Sequence, residues 1–153
     1  MLTAWIQARA RGARPLGTAN LERFRLRWNK RSRDGSAKCS VEETGRPEDV
    51  VLGVLYGLDV ANKKLLDSAE GIGRGYGERS VMVIWNGNRL RVLTYYATSI
   101  DPHAKPYDWY RDLVVAGARE HALPNSYIEK LQSIEVISDT DPAREGRARQ
   151  VLK

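Results

Sequence analysis

One cysteine, two histidines and a single phenylalanine are all that the 153 residues contain of those types. Cys39 cannot close an internal disulfide, and with only His103 and His121 beside it the chain has too few soft ligands for a zinc site. No metal and no other cofactor is therefore expected. No stretch reaches the unbroken apolar length of a membrane-spanning helix, and the opening MLTAWIQARARGAR lacks the long apolar run of a secretory leader. These absences predict a soluble, cytoplasmic chain with no membrane partner. Residues 1–153 are expected to form one domain, large enough to bury roughly two-thirds of its unfolded surface without a staple. Cys39 reads as a strand residue before it reads as a nucleophile.

Acidic residues are scarce in the first quarter. Residues 1–38 carry ten Lys and Arg against Glu22 and Asp34, a local +8, while the whole chain is only +6. Such a bias raises nucleic acid as a partner. The arrangement argues against it: in FRLRWNKR, Phe24, Leu26 and Trp28 alternate with Arg25, Arg27 and Asn29, as in a half-buried strand with a solvated basic face.

No repeat, low-complexity tract or linker divides the chain. A short apolar-basic helix is expected near 2–10, followed by a loop with Pro15 and Gly17. Strands are expected near 23–31, 37–43 and 50–58, separated by the SRDGS and TGRPED turns. Asp59 caps a helix, VANKKLLDSAEG, that Gly71 stops. Two further strands, 79–86 and 89–98, join through Asn86-Gly87, which supplies the positive φ of a tight hairpin. After residue 107 the periodicity turns helical: DWYRDLVVAGAREHAL, then YIEKLQSI with Ser126 and Glu129 as a capping box, then a polar helix after Asp141-Pro142. This order predicts an α+β fold, a small antiparallel β-barrel or strongly curved sheet with flanking helices.

The chemistry concentrates where Glu70 is followed by glycines at 71, 73, 75 and 77 and by Tyr76. A phosphate cradle fails on context, because neither GxGxxG nor GxxxxGK[ST] is matched and the loop runs from a helix into a strand. Two readings remain: close backbone approach to a small ligand beside Glu70, with Tyr76 as a wall or hydroxyl donor, or simply a solvated glutamate at a helix end, which is the commoner case.

In order and spacing, LRWNKRSRDGSAKC, GVLYGLD, LLDSAEGIGRGY, LTYYATS and PYDWYRDLVVAGAREHALPNSYIEKL resemble the gamma-glutamylcyclotransferase family. The resemblance spans about residues 13–135. It implies an enzyme that removes a γ-glutamyl group from a small-molecule substrate as 5-oxoproline, by attack of the substrate's own α-amine on its γ-carbonyl. Glu70 falls at the family's catalytic glutamate, where one carboxylate takes a proton from the ammonium and returns one to the leaving amine. Gly71, Tyr76, Tyr95 and Tyr110 carry over as substrate-binding residues, while Asp67 is expected to support the fold. The loop SIDPHAKPY, residues 99–107, is expected to face the leaving group, which the sequence does not identify; His103 there reads as solvated.

The family opens with a β-strand and a Tyr-Gly-Ser-Asn loop, and no such stretch occurs in these residues. Alignment of the later motifs puts Met1 just after that loop. A misplaced start, a trimmed segment and a variant that has lost activity all fit, and the first is favoured because Glu70 and the three tyrosines persist. An open strand edge would then lower stability or pair two copies into a homodimer. The competing functional expectation is a non-catalytic small-molecule-binding domain of the same fold.

Overall fold

A computed structural model of the chain describes residues 1–153. The elements run α1 (Thr3–Gln7), β1 (Arg14–Glu22), β2 (Phe24–Arg31), β3 (Ala37–Glu43), β4 (Val50–Gly57), α2 (Val60–Glu70), β5 (Tyr76–Trp85), β6 (Asn88–Ala97), α3 (Asp108–Glu120), α4 (Asn125–Gln132) and α5 (Pro142–Gln150). The strands form two antiparallel sheets, one ordered β4-β1-β5-β6 and the other β2-β3. The fold is α+β with helices flanking the sheets. The backbone ladders do not close into a barrel, so of the two architectures expected it is the open sheet that applies. The end of β6 nevertheless reaches the smaller sheet. The Ala97 amide donates to Ser40 Oγ at 2.8 Å, and the segment after β6 bonds β2 through Arg31 N–H to Ser99 and Asp101 N–H to Asn29.

Between the sheets Ala19, Leu21, Phe24, Val51, Val81 and Val83 form a buried core, with Leu26 and Val41 against it. A second core lies under the C-terminal helices, where Val115, Ala118, Leu123, Ile128 and Leu131 meet Leu26, Trp28 and Leu52. Alternation in β2 therefore serves two neighbours: Phe24 faces one core, and Trp28 faces the helices. A third cluster, Ile6, Ala10, Ala13 and Leu66, joins α1 to α2.

The local signals around α2 act as expected. The Asp59 side chain accepts from the Asn62 amide, and Gly71 closes the helix in the left-handed region at φ 72°. Asn86 and Gly87 both take positive φ in the β5–β6 hairpin. Asp141 caps α5 through the amides of Ala143 and Arg144.

Three expectations need correction. The expected loop over Pro15 and Gly17 is instead β1, an interior strand paired with β4 and β5. Only Ala19 and Leu21 of this strand are buried, so its apolar alternation is weak, and a bulge between Pro15 and Gly17 accommodates the residues that read as loop. Strand β5 begins at Tyr76 rather than residue 79, directly after the glycine loop. Ser126 caps nothing: α4 starts two residues earlier, at Asn125, with the extended Pro124 at its N-cap, whose carbonyl accepts from Tyr127 and Ile128.

Candidate active site

A cavity of about 400 Å³ opens between the sheets and the helices. Glu70 reaches it from the last turn of α2, Tyr76 from the start of β5, Tyr95 from β6 and Tyr110 from the first turn of α3. Residues up to 40 positions apart in sequence thus share one space because α2, β5, β6 and α3 converge there. Gly71, also carried over as substrate-binding, does not line the cavity; it holds the turn that ends α2 immediately after Glu70.

The Glu70 carboxylate makes no hydrogen bond and no salt bridge within the chain. Burial raises its pKa above the usual glutamate range, while the positive charges of Arg9 and Lys30 pull it back. A carboxylate in that balance is a stronger base than one in water and has no protein proton to compete for.

The three tyrosines are held in different ways. Tyr76 donates its hydroxyl to the carbonyl of Cys39 at 2.7 Å, and Tyr95 donates to Asp67 Oδ1 at 2.6 Å. The Tyr110 oxygen accepts from the Cys39 amide at 3.1 Å, and its hydroxyl also meets the Cys39 thiol. Burial raises all three phenol pKa values, so each hydroxyl keeps its proton at neutral pH. The rings also brace one another, with Tyr76 edge-on to Tyr95 at 6.5 Å and Tyr110 edge-on to Trp28 at 6.0 Å and to Trp109 at 6.1 Å. Asp67 does not face the substrate space; it is tied to Tyr95 and to Lys63, which also binds Glu78.

The cavity wall includes backbone that no strand pairs. Strand β3 is bonded only to β2, and β4 only to β1. At Cys39 both the amide and the carbonyl are taken up by tyrosine hydroxyls, and the Leu52 amide of β4 donates to Tyr127 at 3.3 Å. Cys39 is half-buried in this wall, where desolvation pushes its thiol pKa up to about 12 and leaves it a neutral packing group.

The expectation for residues 99–107 is overturned, since none of them lines the cavity. Their backbone is spent on β2 instead, and His103 is exposed. Conversely, Arg9, Lys30 and Lys38 do line the cavity although nothing singled them out as site residues. The signal was the excess of cations in the first quarter, but strand alternation explains solvent-facing cations equally well, and only the fold tells which ones turn inward.

Fold and site together place one carboxylate without a protein partner in a cavity walled by tyrosines. The model of the AIG2-like family matches residues 50–131, more than half of the chain, and the chain belongs to that family. Among curated proteins it is similar to gamma-glutamylcyclotransferase of Homo sapiens, 34% identical over 91 residues, and to that of Mus musculus, 33% identical over 91 residues. Each alignment covers 58% of this chain and 48% of the relative, so the match spans about half the length of these proteins. Among solved structures, a gamma-glutamyl cyclotransferase superposes with a TM-score of 0.85 at 26% identity, over 97% of this chain and 92% of that one. An uncharacterised protein from Homo sapiens superposes with a TM-score of 0.86 at 28% identity, over 99% and 92% of the two chains.

Proposed function

We propose that this chain is a gamma-glutamyl cyclotransferase that releases 5-oxoproline from a γ-glutamyl amino acid or amine. One observation carries the reading: Glu70, raised in pKa by burial and bonded to nothing in the protein, faces a cavity closed by three protonated tyrosines. The relatives' names agree with it, over the part of their length that aligns.

The chemistry asks little of the protein. The substrate's α-ammonium loses a proton to Glu70, and the freed amine attacks the γ-carbonyl carbon. A C–N bond forms to give a five-membered tetrahedral intermediate. Glu70 gives that proton to the original amide nitrogen and takes the second proton of the ring nitrogen as the amide C–N bond breaks, so that the amine departs and 5-oxoproline remains. No protein nucleophile is used, in keeping with the neutral Cys39 thiol. Because the reaction is intramolecular, the site's main task is to hold amine and carbonyl in near-attack geometry. Tyr76 and Tyr95 spend their hydroxyl protons on the Cys39 carbonyl and Asp67, and the Tyr110 hydroxyl is engaged with Cys39, so the three tyrosines wall the substrate space more than they donate to it.

The test is 5-oxoproline release from a panel of γ-glutamyl amino acids and amines by the chain and its Glu70→Gln variant. Release by the parent and its loss in the variant, with both folded, is the expected result. No release from the folded parent would favour the non-catalytic binding domain.

A further inference from the structure

Two cations stand in the cavity without a counter-ion. The charged side chains lining it are Glu70, Arg9, Lys30 and Lys38. Lys38 is neutralised by Asp34, whose Oδ2 lies 3.0 Å from its Nζ. Arg9 and Lys30 are half-buried and enter no salt bridge. Arg9 gives one N–H to the Trp5 carbonyl at 2.8 Å and sits over the Trp5 ring at 3.8 Å, so most of its five donors stay unused. The Lys30 ammonium makes no hydrogen bond, and its Nζ rests 4.7 Å from the centre of the Tyr76 ring. The glycine loop makes that placement possible. A Cβ on Gly75 would lie 3.0 Å from Lys30 Cε and 3.2 Å from Nζ, and Gly75 itself has φ 131°.

An aromatic face helps a half-buried cation to persist but does not neutralise it. Taking cations out of water costs free energy unless an anion meets them. Glu70 offsets one of the two charges at most, so the cavity's own side chains carry an excess of positive charge that a substrate ammonium would only increase. The ligand must therefore bring negative charge. Arg9 and Lys30 are also the two cations whose charge acts on Glu70. An anion held by them lies close to the base, and in a γ-glutamyl compound the α-carboxylate and the α-amine share one carbon.

We propose that Arg9 and Lys30 are the carboxylate-binding pair of this cavity, holding the α-carboxylate of the substrate so that its amine is presented to Glu70. The proposal rests on the cyclotransferase reading for the identity of that carboxylate, though not for the existence of the anion site.

Two measurements separate the two ideas. The first is alanine release from γ-glutamyl-alanine and from its analogue with the α-carboxylate converted to a carboxamide, compared for the parent, Arg9→Met and Lys30→Met. The second is calorimetric binding of glutarate, which needs no turnover. In the parent, the carboxylate substrate is expected to be preferred. Each substitution should narrow that preference and weaken glutarate binding by about 10- to 100-fold, chiefly through KM, the size of one hydrogen bond to a charged group. Arg9→Lys and Lys30→Arg, which keep the charge, should restore part of both; if a methionine variant fails to unfold cooperatively, its charge-keeping partner and the other position decide. Glu70-dependent release with unchanged preference and unchanged glutarate affinity in the folded variants would overturn the pair and leave the cyclotransferase standing. Glutarate binding that depends on both cations, with no 5-oxoproline released from any member of a panel of γ-glutamyl amino acids and amines, would keep the pair and sink the cyclotransferase.

Discussion

Glu70 sets burial against function. Its folded pKa lies above the ordinary glutamate value, so the native state binds the proton more tightly than the unfolded chain does. Below the unfolded pKa both states are protonated and no penalty arises. As pH rises through the window between the two pKa values the native state loses stability, and above the folded pKa the full penalty remains. Glu70→Gln should therefore raise Tm at pH 7 and have little effect near pH 4. A variant that lowers Tm at pH 7 would show that the carboxylate is stabilised by its surroundings. The residue scale also separates Cys39 from catalysis. A thiol with pKa near 12 is almost wholly protonated at pH 8. Iodoacetamide should leave it unmodified in the native chain and label it after unfolding, and Cys39→Ala should retain 5-oxoproline release. Rapid native labelling, read by intact mass, would place the thiol within solvent reach.

At the scale of elements, the site depends on how closely α3 meets the start of the chain. Gly117 has no side chain because a Cβ there would stand 2.4 Å from the Leu2 amide nitrogen and 2.5 Å from the Met1 carbonyl carbon, which are backbone atoms that cannot rotate away. Met1, Leu2, Trp5 and Arg9 line the cavity just beyond this contact. Gly117→Ala should thus cost about 1–3 kcal/mol, the range for overpacking, and raise KM along with it; an unchanged Tm would show that residues 1–2 can move aside freely. This contact also marks what the sequence could and could not reveal. Helix α2, its Asp59 cap and its Gly71 stop were legible because capping is local chemistry. The β5–β6 hairpin was legible through Asn86-Gly87 for the same reason. Strand β1 was not, since its place between β4 and β5 is fixed by partners distant in sequence, and its own Pro15 and Gly17 carry loop signals. The site divides likewise. Glu70 stood out by its motif, whereas Arg9 and Lys30 belong to a basic run whose inward-facing members only the tertiary packing selects.

For the molecule as a whole, the open edges of β3 and β4 bear on how copies of the chain associate. An unpaired edge invites a strand from a second copy, and this is the physical basis of the homodimer proposed from the sequence. At the cavity, however, the groups such a strand would pair with are already engaged. Cys39 N–H and C=O are bonded to Tyr110 and Tyr76, and Leu52 N–H to Tyr127. A dimer formed through these edges must break those hydrogen bonds and move three tyrosines that line the substrate space. Edge pairing and ligand binding then compete for the same side chains, and linkage requires that a ligand for the monomer's cavity oppose the dimer to the same degree that the dimer weakens the ligand. Sedimentation velocity over a concentration series, without and with saturating glutarate, tests this directly. An edge-paired dimer is expected to dissociate as glutarate fills the cavity, and Tyr76→Phe, which frees the Cys39 carbonyl, should favour the dimer. A monomer at every concentration would exclude pairing through these edges, and a dimer indifferent to glutarate would have to be held by another face of the molecule.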